Sequence, residues 1–283
     1  MSQRLNAVPG LEPVALPAPA GWGARFSAGL RRYLPALVVF VAFLVLWEAA
    51  VAIFKIEGFI LPRPSVIAAT FIEELPIIIP AGLFTLREAG GGFLIGCSLA
   101  VLMALATARW TILSEGFMPF AIMVNATPIV ALAPIMNNWF GITNPMAKMS
   151  IVAILVFFPV MINTVRGLTL VDSGALELLR SYAAGEFTVL AQLRLPNALP
   201  FMFSAFKVAG ALSVIGAIVS EYFGGSRAAL GIYISQQAAL FHFAEAWAAI
   251  IVACGMGLAF YIVILLAERW LMPWHASQRA ADD

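Results

Sequence analysis

The sequence predicts an all-α polytopic membrane protein with about six transmembrane helices, and three observations carry that prediction. Hydrophobic residues make up 62% of the 283-residue chain and charged ones 11%, whereas roughly a quarter of residues are charged in a water-soluble domain. The apolar residues come in long blocks instead of at core spacing. Crossing some 30 Å of hydrocarbon takes about 20 mainly apolar residues, and in lipid helices satisfy every backbone polar group within one segment.

Six blocks meet that length, at 34–54, 85–108, 117–137, 146–165, 201–222 and 246–268. Residues 1–33 are rich in Pro, Ala and Gly and lack the compact apolar core and cleavage site of a secretory signal, so they read as a disordered cytoplasmic tail. Residues 34–272 make one transmembrane domain and 273–283 a C-terminal tail. The segment 55–84 holds Pro62, Pro64, Pro76 and Pro80. Because proline lacks the N–H that continues a helix, this segment is expected to be broken and partly interfacial.

Six crossings place both termini on one side. With the N-terminus inside, the inner segments hold Arg4, Arg25, Arg31, Arg32, Arg109, Arg166, Arg180, Arg194, Arg269 and Arg279, and the outer ones Lys55, Arg63, Arg87, Lys148 and Arg227. That excess puts both termini in the cytoplasm, since short cytoplasmic loops accumulate Lys and Arg. Lys207 falls near the inner end of the fifth block, where its ammonium can snorkel to the interface.

The longest inner connection, 166–200, has helical character. Leu176, Leu179 and Ala183 recur at i, i+3 and i+7, with Glu177, Arg180 and Glu186 between them, and Asp172 or Ser173 can cap the start. A short amphipathic helix outside the bilayer needs a surface to receive its apolar side. Anionic lipid and a protein partner both fit that requirement.

The stretch Glu177-Leu-Leu-Arg-Ser-Tyr-Ala-Ala-Gly-Glu186, followed by Leu195-Pro196 and Ala198-Leu199-Pro200, resembles the cytoplasmic EAA loop of binding-protein-dependent ABC importer permeases. The resemblance runs from about Leu34 to Trp274. It is nearest to the nitrate/sulfonate/taurine branch through Ala131-Leu-Ala-Pro134, Asn138-Trp-Phe-Gly141, Phe157-Phe-Pro159, Asn163-Thr-Val-Arg-Gly167 and Val219-Ser-Glu-Tyr-Phe-Gly224. Arg180-Ser-Tyr182 and Ile215-Gly-Ala-Ile-Val-Ser-Glu221 look most like members assigned to flavin or pyrimidine-type precursors. Two departures stand out. Leu178 and Leu179 replace two alanines, and Ala183 occupies the position of the family glycine, with Gly185 two residues on, so the place of the turn stays open between them.

The resemblance implies a type I ABC importer permease fold in the bacterial inner membrane, with a coupling helix formed by Glu177, Leu179, Arg180, Tyr182, Ala183, Gly185 and Glu186. It implies ABC ATPase subunits, an extracytoplasmic solute-binding protein and a second permease copy as partners, besides membrane lipid. Tyr182, Leu179 and Ala183 would seat the helix on the ATPase, and the charged residues would rim it. No Gly-Lys pair occurs in the sequence, so the phosphate-cradling loop of an ATPase is not encoded here.

Polar residues inside the blocks tend to face a partner helix or a wet cavity, because lipid solvates them poorly. Asn125 and Thr127 precede Pro128, and Ser213, Ser220 and Glu221 mark the fifth block, so these five are candidates for the translocation path. Glu221 lies near an outer end, where water can reach a carboxylate. Glu48 reads as a structural partner in the first block, and Asn137, Asn138 and Asn163 as capping or hydrated residues near span ends. Trp139, Trp247, Trp270 and Trp274 read as an interfacial aromatic belt.

Other chemistry finds little footing. Cys97 and Cys254 sit in apolar stretches as small hydrophobes, and His242 and His275 fall on opposite sides of the membrane, so no metal, cofactor or catalytic set is expected. A net charge of +1 argues against nucleic acid. The expected function is the permease subunit of an ATP-driven importer for a small organic solute, sulfonate- or nitrate-like or flavin- or pyrimidine-like. The alternative is an ATP-independent secondary transporter or channel, which would show an inverted repeat and paired intramembrane ionisable residues.

Overall fold

The structure, a computed structural model, describes residues 22–109, 123 and 127–273, with the backbone alone for 22–33 and 130. Asn125, Trp274, His275, residues 117–122 and 124–126 of the third apolar block and the outer parts of both tails lie outside the described residues. Among the described residues every regular element is helical, and five helices are long and apolar enough to cross a membrane.

The chain divides into two units, Met1–Ile56 and Glu57–Asp283. The first contains helix α1, Trp22–Ile53. It begins upstream of the expected boundary at Leu34, in a stretch where Ala24, Arg25, Leu30, Arg31 and Arg32 all favour helix. Its apolar span, Leu34–Ile53, leaves Val39, Phe43 and Leu46 exposed, as suits a face turned to hydrocarbon.

The second unit opens with α2, Pro64–Arg109, a continuous helix of 46 residues. At about 1.5 Å per residue it is roughly twice as long as the hydrocarbon core is thick. The expected break at 55–84 is confined to its start, where Pro64 occupies the position that tolerates a missing N–H. Pro76 and Pro80 are carried inside the helix because their flanks are held by packing. Ile78 is fully buried, and the missing Cβ of Gly82 admits Val252 and Met256. Tertiary burial here outweighs a proline penalty of about 3 kcal/mol.

A 3-10 turn, Ile129–Leu132, leads into α3, Ala133–Phe140. Pro134 lies in the first turn of α3, where a missing N–H is tolerated. Helix α4, Pro145–Thr169, starts on an Asn144 cap whose side chain accepts from the Met146 N–H at 3.0 Å. Next come α5, Ser173–Ser181, and α6, Glu186–Val189, then a π-turn at Leu190–Arg194 that runs into α7, Leu195–Glu221. Helices α8, Leu230–Ala239, and α9, Phe243–Leu271, close the unit.

Helix α4 is the centre of the packing, with α2 on one side and α7 on the other, and α9 lies against α2 and α7. A ladder of small residues makes the first contact possible. Gly92, Gly96, Ala100 and Ala104 recur every fourth residue and all are buried. A Cβ at Gly92 would come within 2.5 Å of the Val152 Cβ, and one at Gly96 would strike the Ala153 carbonyl. Close backbone approach through small residues is how helices associate in lipid, which offers no hydrophobic drive between them.

Candidate functional site

Two regions at opposite ends of α7 carry the polar and exposed chemistry of the chain. The first is the loop between α4 and α7. Its frame is tied at the base, where the Asn197 amide donates to the Gly167 and Leu170 carbonyls at 2.8 and 2.9 Å, fixing the start of α7 to the end of α4. Asp172 caps α5 by accepting from the Ala175 N–H at 2.7 Å, so of the two expected caps it is the aspartate that serves.

The turn that the sequence left open is at Ala183, which adopts φ +55°. The Ala183 N–H donates to the Arg180 carbonyl and the Ala184 N–H to the Leu179 carbonyl, the paired bonds of a Schellman C-cap. Gly185 has φ −69° and merely precedes α6. An alanine therefore holds a left-handed position that glycine fills without steric cost.

None of the residues of α5 is buried. Glu177, Arg180, Ala183, Gly185 and Glu186 are exposed, as is Tyr182 at 77%, while Leu179 is half-buried. The outward apolar pair is Leu178 with Tyr182, four residues apart and hence on one helix face, and Phe187 on α6 is 81% exposed. Sequence periodicity singled out Leu179 and passed over Leu178 and Phe187, since adjacent leucines satisfy an amphipathic pattern in either register. Leu195-Pro196 falls where α7 begins, as the motif required.

At the other end of α7, Glu221 is fully enclosed, contrary to the hydrated position expected of it. Thr85 Oγ1 donates to its Oε1 at 2.7 Å and the Gly231 N–H to its Oε2 at 2.6 Å, while the Leu230 N–H donates to Thr85 Oγ1 at 2.9 Å. Ala229, at the N-cap of α8, offers no capping side chain. The Leu230 and Gly231 amides at the start of that helix are thus satisfied by a hydroxyl from α2 and a carboxyl from α7. Gly231 has to be glycine, because a Cβ there would meet Glu221 Oε2 and the Ile218 carbonyl at 2.6 Å.

Two more charges join this cluster. Glu88 of α2, 2% exposed, lies beside Glu221, and its Oε2 is buried with no hydrogen-bond partner among the described residues. Lys148 of α4, 1% exposed, donates to Asn137 Oδ1 at 2.8 Å and to the Ile142 carbonyl, and its charge acts on both glutamates. Asn137 in turn donates to the Phe223 carbonyl at 3.1 Å. Lys148 was expected as an exposed outer cation and Asn137 as a hydrated one. Both are instead interior, because α4 begins at Pro145 and carries residue 148 into the packed face beside α2. Glu88 has a sequence signal that periodicity did not use: it sits four residues before Gly92, on the same buried ladder.

The remaining path candidates separate. Thr127 is exposed at a bend. Ser213 and Ser220 are fully buried and donate to the Gly210 and Ala217 carbonyls of their own helix, at 2.7 and 2.8 Å. Together with Glu221 they therefore present no surface to an open path. Lys207 does not snorkel but pairs with Glu268 of α9. Tyr233 of α8 donates to Glu74 of α2 at 2.9 Å, and burial, with Glu74 beside it, raises the phenol pKa above its ordinary value and keeps the hydroxyl a donor. Beside the buried cluster lies a cavity of about 550 Å³ lined in part by Asn137, Asn138, Thr143 and Phe223.

Residues 92–275 match the family described as binding-protein-dependent transport system inner membrane component. The chain is 32% identical to the riboflavin transport system permease protein of Chloroflexus aurantiacus, over 85% of this chain and 90% of that one. It is 26% identical to the formylaminopyrimidine transport permease protein of Halalkalibacterium halodurans, over 84% and 95% of the two chains. It is also 26% identical to a putative aliphatic sulfonates transport permease protein of Bacillus subtilis, over 93% and 96%. In fold it resembles a crystal structure of an amino acid ABC transporter with histidines, at a TM-score of 0.57 and 20% identity, over 70% of this chain and 95% of that one. With an all-helical, span-rich architecture and matches of this extent, the chain belongs to the inner membrane permease family of binding-protein-dependent ABC transport systems.

Proposed function

We propose that the chain forms the translocation path of an ATP-driven importer and receives its energy from separate ATPase subunits gripping the loop 166–200. The observation that carries this reading is the outward face of α5 and α6. Leu178, Tyr182 and Phe187 are all more than half exposed on elements whose base is tied by Asn197 to both α4 and α7. An apolar seat on a rigid base passes a push from outside into the spans as a rigid-body movement. Glu177, Arg180 and Glu186 rim that seat, and Ala183 sets the turn that presents it.

Both termini face the cytoplasm in this reading, and Lys148 no longer counts among the outer cations, which sharpens the positive-inside bias. An extracytoplasmic binding protein delivers a small organic solute at the end of the chain where Asn137, Asn138 and Thr143 line a cavity. The names of the relatives point to flavin-like, pyrimidine-like or sulfonate solutes. A second copy of the chain pairs with it to complete the path. Asn125 and Thr127 remain candidates for its wall.

One observation favours a second reading, an ATP-independent transporter: Glu88, Lys148 and Glu221 are intramembrane ionisable residues in one cluster. Glu221 is nevertheless engaged with Thr85 and α8, and Lys148 with Asn137 and the Ile142 carbonyl, and all three side chains are buried. Reconstitution in proteoliposomes decides. Uptake is expected only when the ATPase, the binding protein and ATP are all present, and uptake by the chain alone would overturn the importer reading.

A further inference from the structure

Where α2 ends, a cavity of about 300 Å³ lies between its last turn and the π-turn leading into α7. Its lining divides by chemistry. Leu105, Ala108, Phe187 and Leu190 supply an apolar wall, and Arg109, Arg194 and Glu186 supply charge. Both arginines line the same cavity, and Arg194 Nη1 reaches the carbonyl of Ala108, the residue before Arg109, at a long 3.4 Å. Arg194 Nε is buried and has no hydrogen-bond partner among the described residues. A desolvated guanidinium N–H without an acceptor is costly, and the widened π-turn that holds Arg194 is a backbone irregularity frequent at functional sites.

We infer that this cavity binds the phosphodiester headgroup of an anionic phospholipid from the inner leaflet. Arg109 and Arg194 form a fork for the phosphate oxygens. The net charge of the lining, two arginines against one glutamate, is balanced by a single negative headgroup. The apolar wall continues down α2 along Leu105, so an acyl chain has a surface to follow once the phosphate is seated. Basic pockets between spans on the cytoplasmic side are where anionic headgroups are held. Seated there, the lipid would bridge the end of α2 to α6, and so back the loop that presents Leu178 and Tyr182.

The inference rests on the orientation proposed above, in which Arg109 and Arg194 face the cytoplasm. It is tested on the purified full chain, without ATPase or binding protein, by native mass spectrometry after exchange into detergent containing phosphatidylglycerol, phosphatidylcholine or inorganic phosphate. The wild-type chain is expected to retain phosphatidylglycerol through detergent washing, in preference to phosphatidylcholine and undisplaced by inorganic phosphate. Arg109→Gln, and separately Arg194→Lys, which keeps the charge but loses the fork, should each weaken retention by roughly tenfold, the loss expected of one charge-assisted hydrogen bond. Arg269→Gln removes the same charge at the end of α9 and should retain the lipid. Equal loss from Arg269→Gln, equal retention of phosphatidylcholine, displacement by inorganic phosphate, or no retention by the wild-type chain would each overturn the site. The readout involves no transport, so its failure leaves the importer reading standing, and failure of ATP-driven uptake leaves the lipid result standing.

Discussion

Helix α7 ends in two opposite environments, and the contrast separates what holds this protein together from what it offers to others. At the Glu221 end the charged groups of Glu88, Lys148 and Glu221 are enclosed, and α2, α3, α4, α7 and α8 converge there through side-chain hydrogen bonds. At the Leu195 end the adjoining loop is fixed at its base but leaves Leu178, Tyr182 and Phe187 in the open. The enclosed end uses polarity for cohesion. The open end uses apolar surface for contact.

The comparison can be broken first at the enclosed end, where the largest effect is expected. Glu221→Ala removes a buried carboxylate that serves two partners and leaves Lys148 and the α8 amides under-compensated. Breaking one member of a buried ionic cluster costs about 3–5 kcal/mol, so thermal unfolding in detergent should show a marked loss, and Glu221→Gln, which keeps one acceptor, a smaller one. A Glu221→Ala chain as stable as the wild type would mean that the cluster contributes nothing to cohesion.

The frame around that cluster comes next. Gly96→Ala forces a Cβ onto the backbone of Ala153, and overpacking of this kind costs about 1–3 kcal/mol. It should lower the melting temperature and loosen hydrogen exchange in both α2 and α4, because the clash is with backbone and not with a side chain that could swing away.

These two sites also show where the sequence was legible. Blocks at 146–165 and 246–268 lie within α4 and α9, and the block at 201–222 overruns α7 by one residue, since unbroken apolar length is a property of the chain itself. The Asp172 cap and the Leu195-Pro196 entrance were likewise readable, because caps and prolines act within a turn. The continuity of α2 through Pro76 and Pro80 was not, as it depends on neighbours that bury Ile78 and Gly82. Nor was the clustering of Glu88, Lys148 and Glu221, residues far apart in sequence that only the packing of three helices brings together. Periodicity places a side chain on a face of its helix, and the identity of the opposing face is a tertiary fact.

At the open end the effects on stability are smaller and run the other way. Ala183→Gly relieves a left-handed alanine and should stabilise the loop by up to about 1 kcal/mol, visible as slower hydrogen exchange at the Ala183 and Ala184 amides. No change there would indicate that the turn is held by the rest of the loop and not by its own backbone preference. Leu178→Asp combined with Tyr182→Asp should alter stability by no more than about 0.5 kcal/mol, since both side chains already face outward.

That double variant also gives the most direct measurement of the central claim. Leu178→Asp/Tyr182→Asp and wild-type chains, matched for melting temperature, are co-expressed with the partner ATPase, and the ATPase retained per permease is quantified after purification in the same detergent. Loss of the ATPase from the variant, with the permease itself intact, is the expected result. Full retention with undiminished ATP-driven uptake would show that the motor grips elsewhere and that the exposed face of α5 has another purpose.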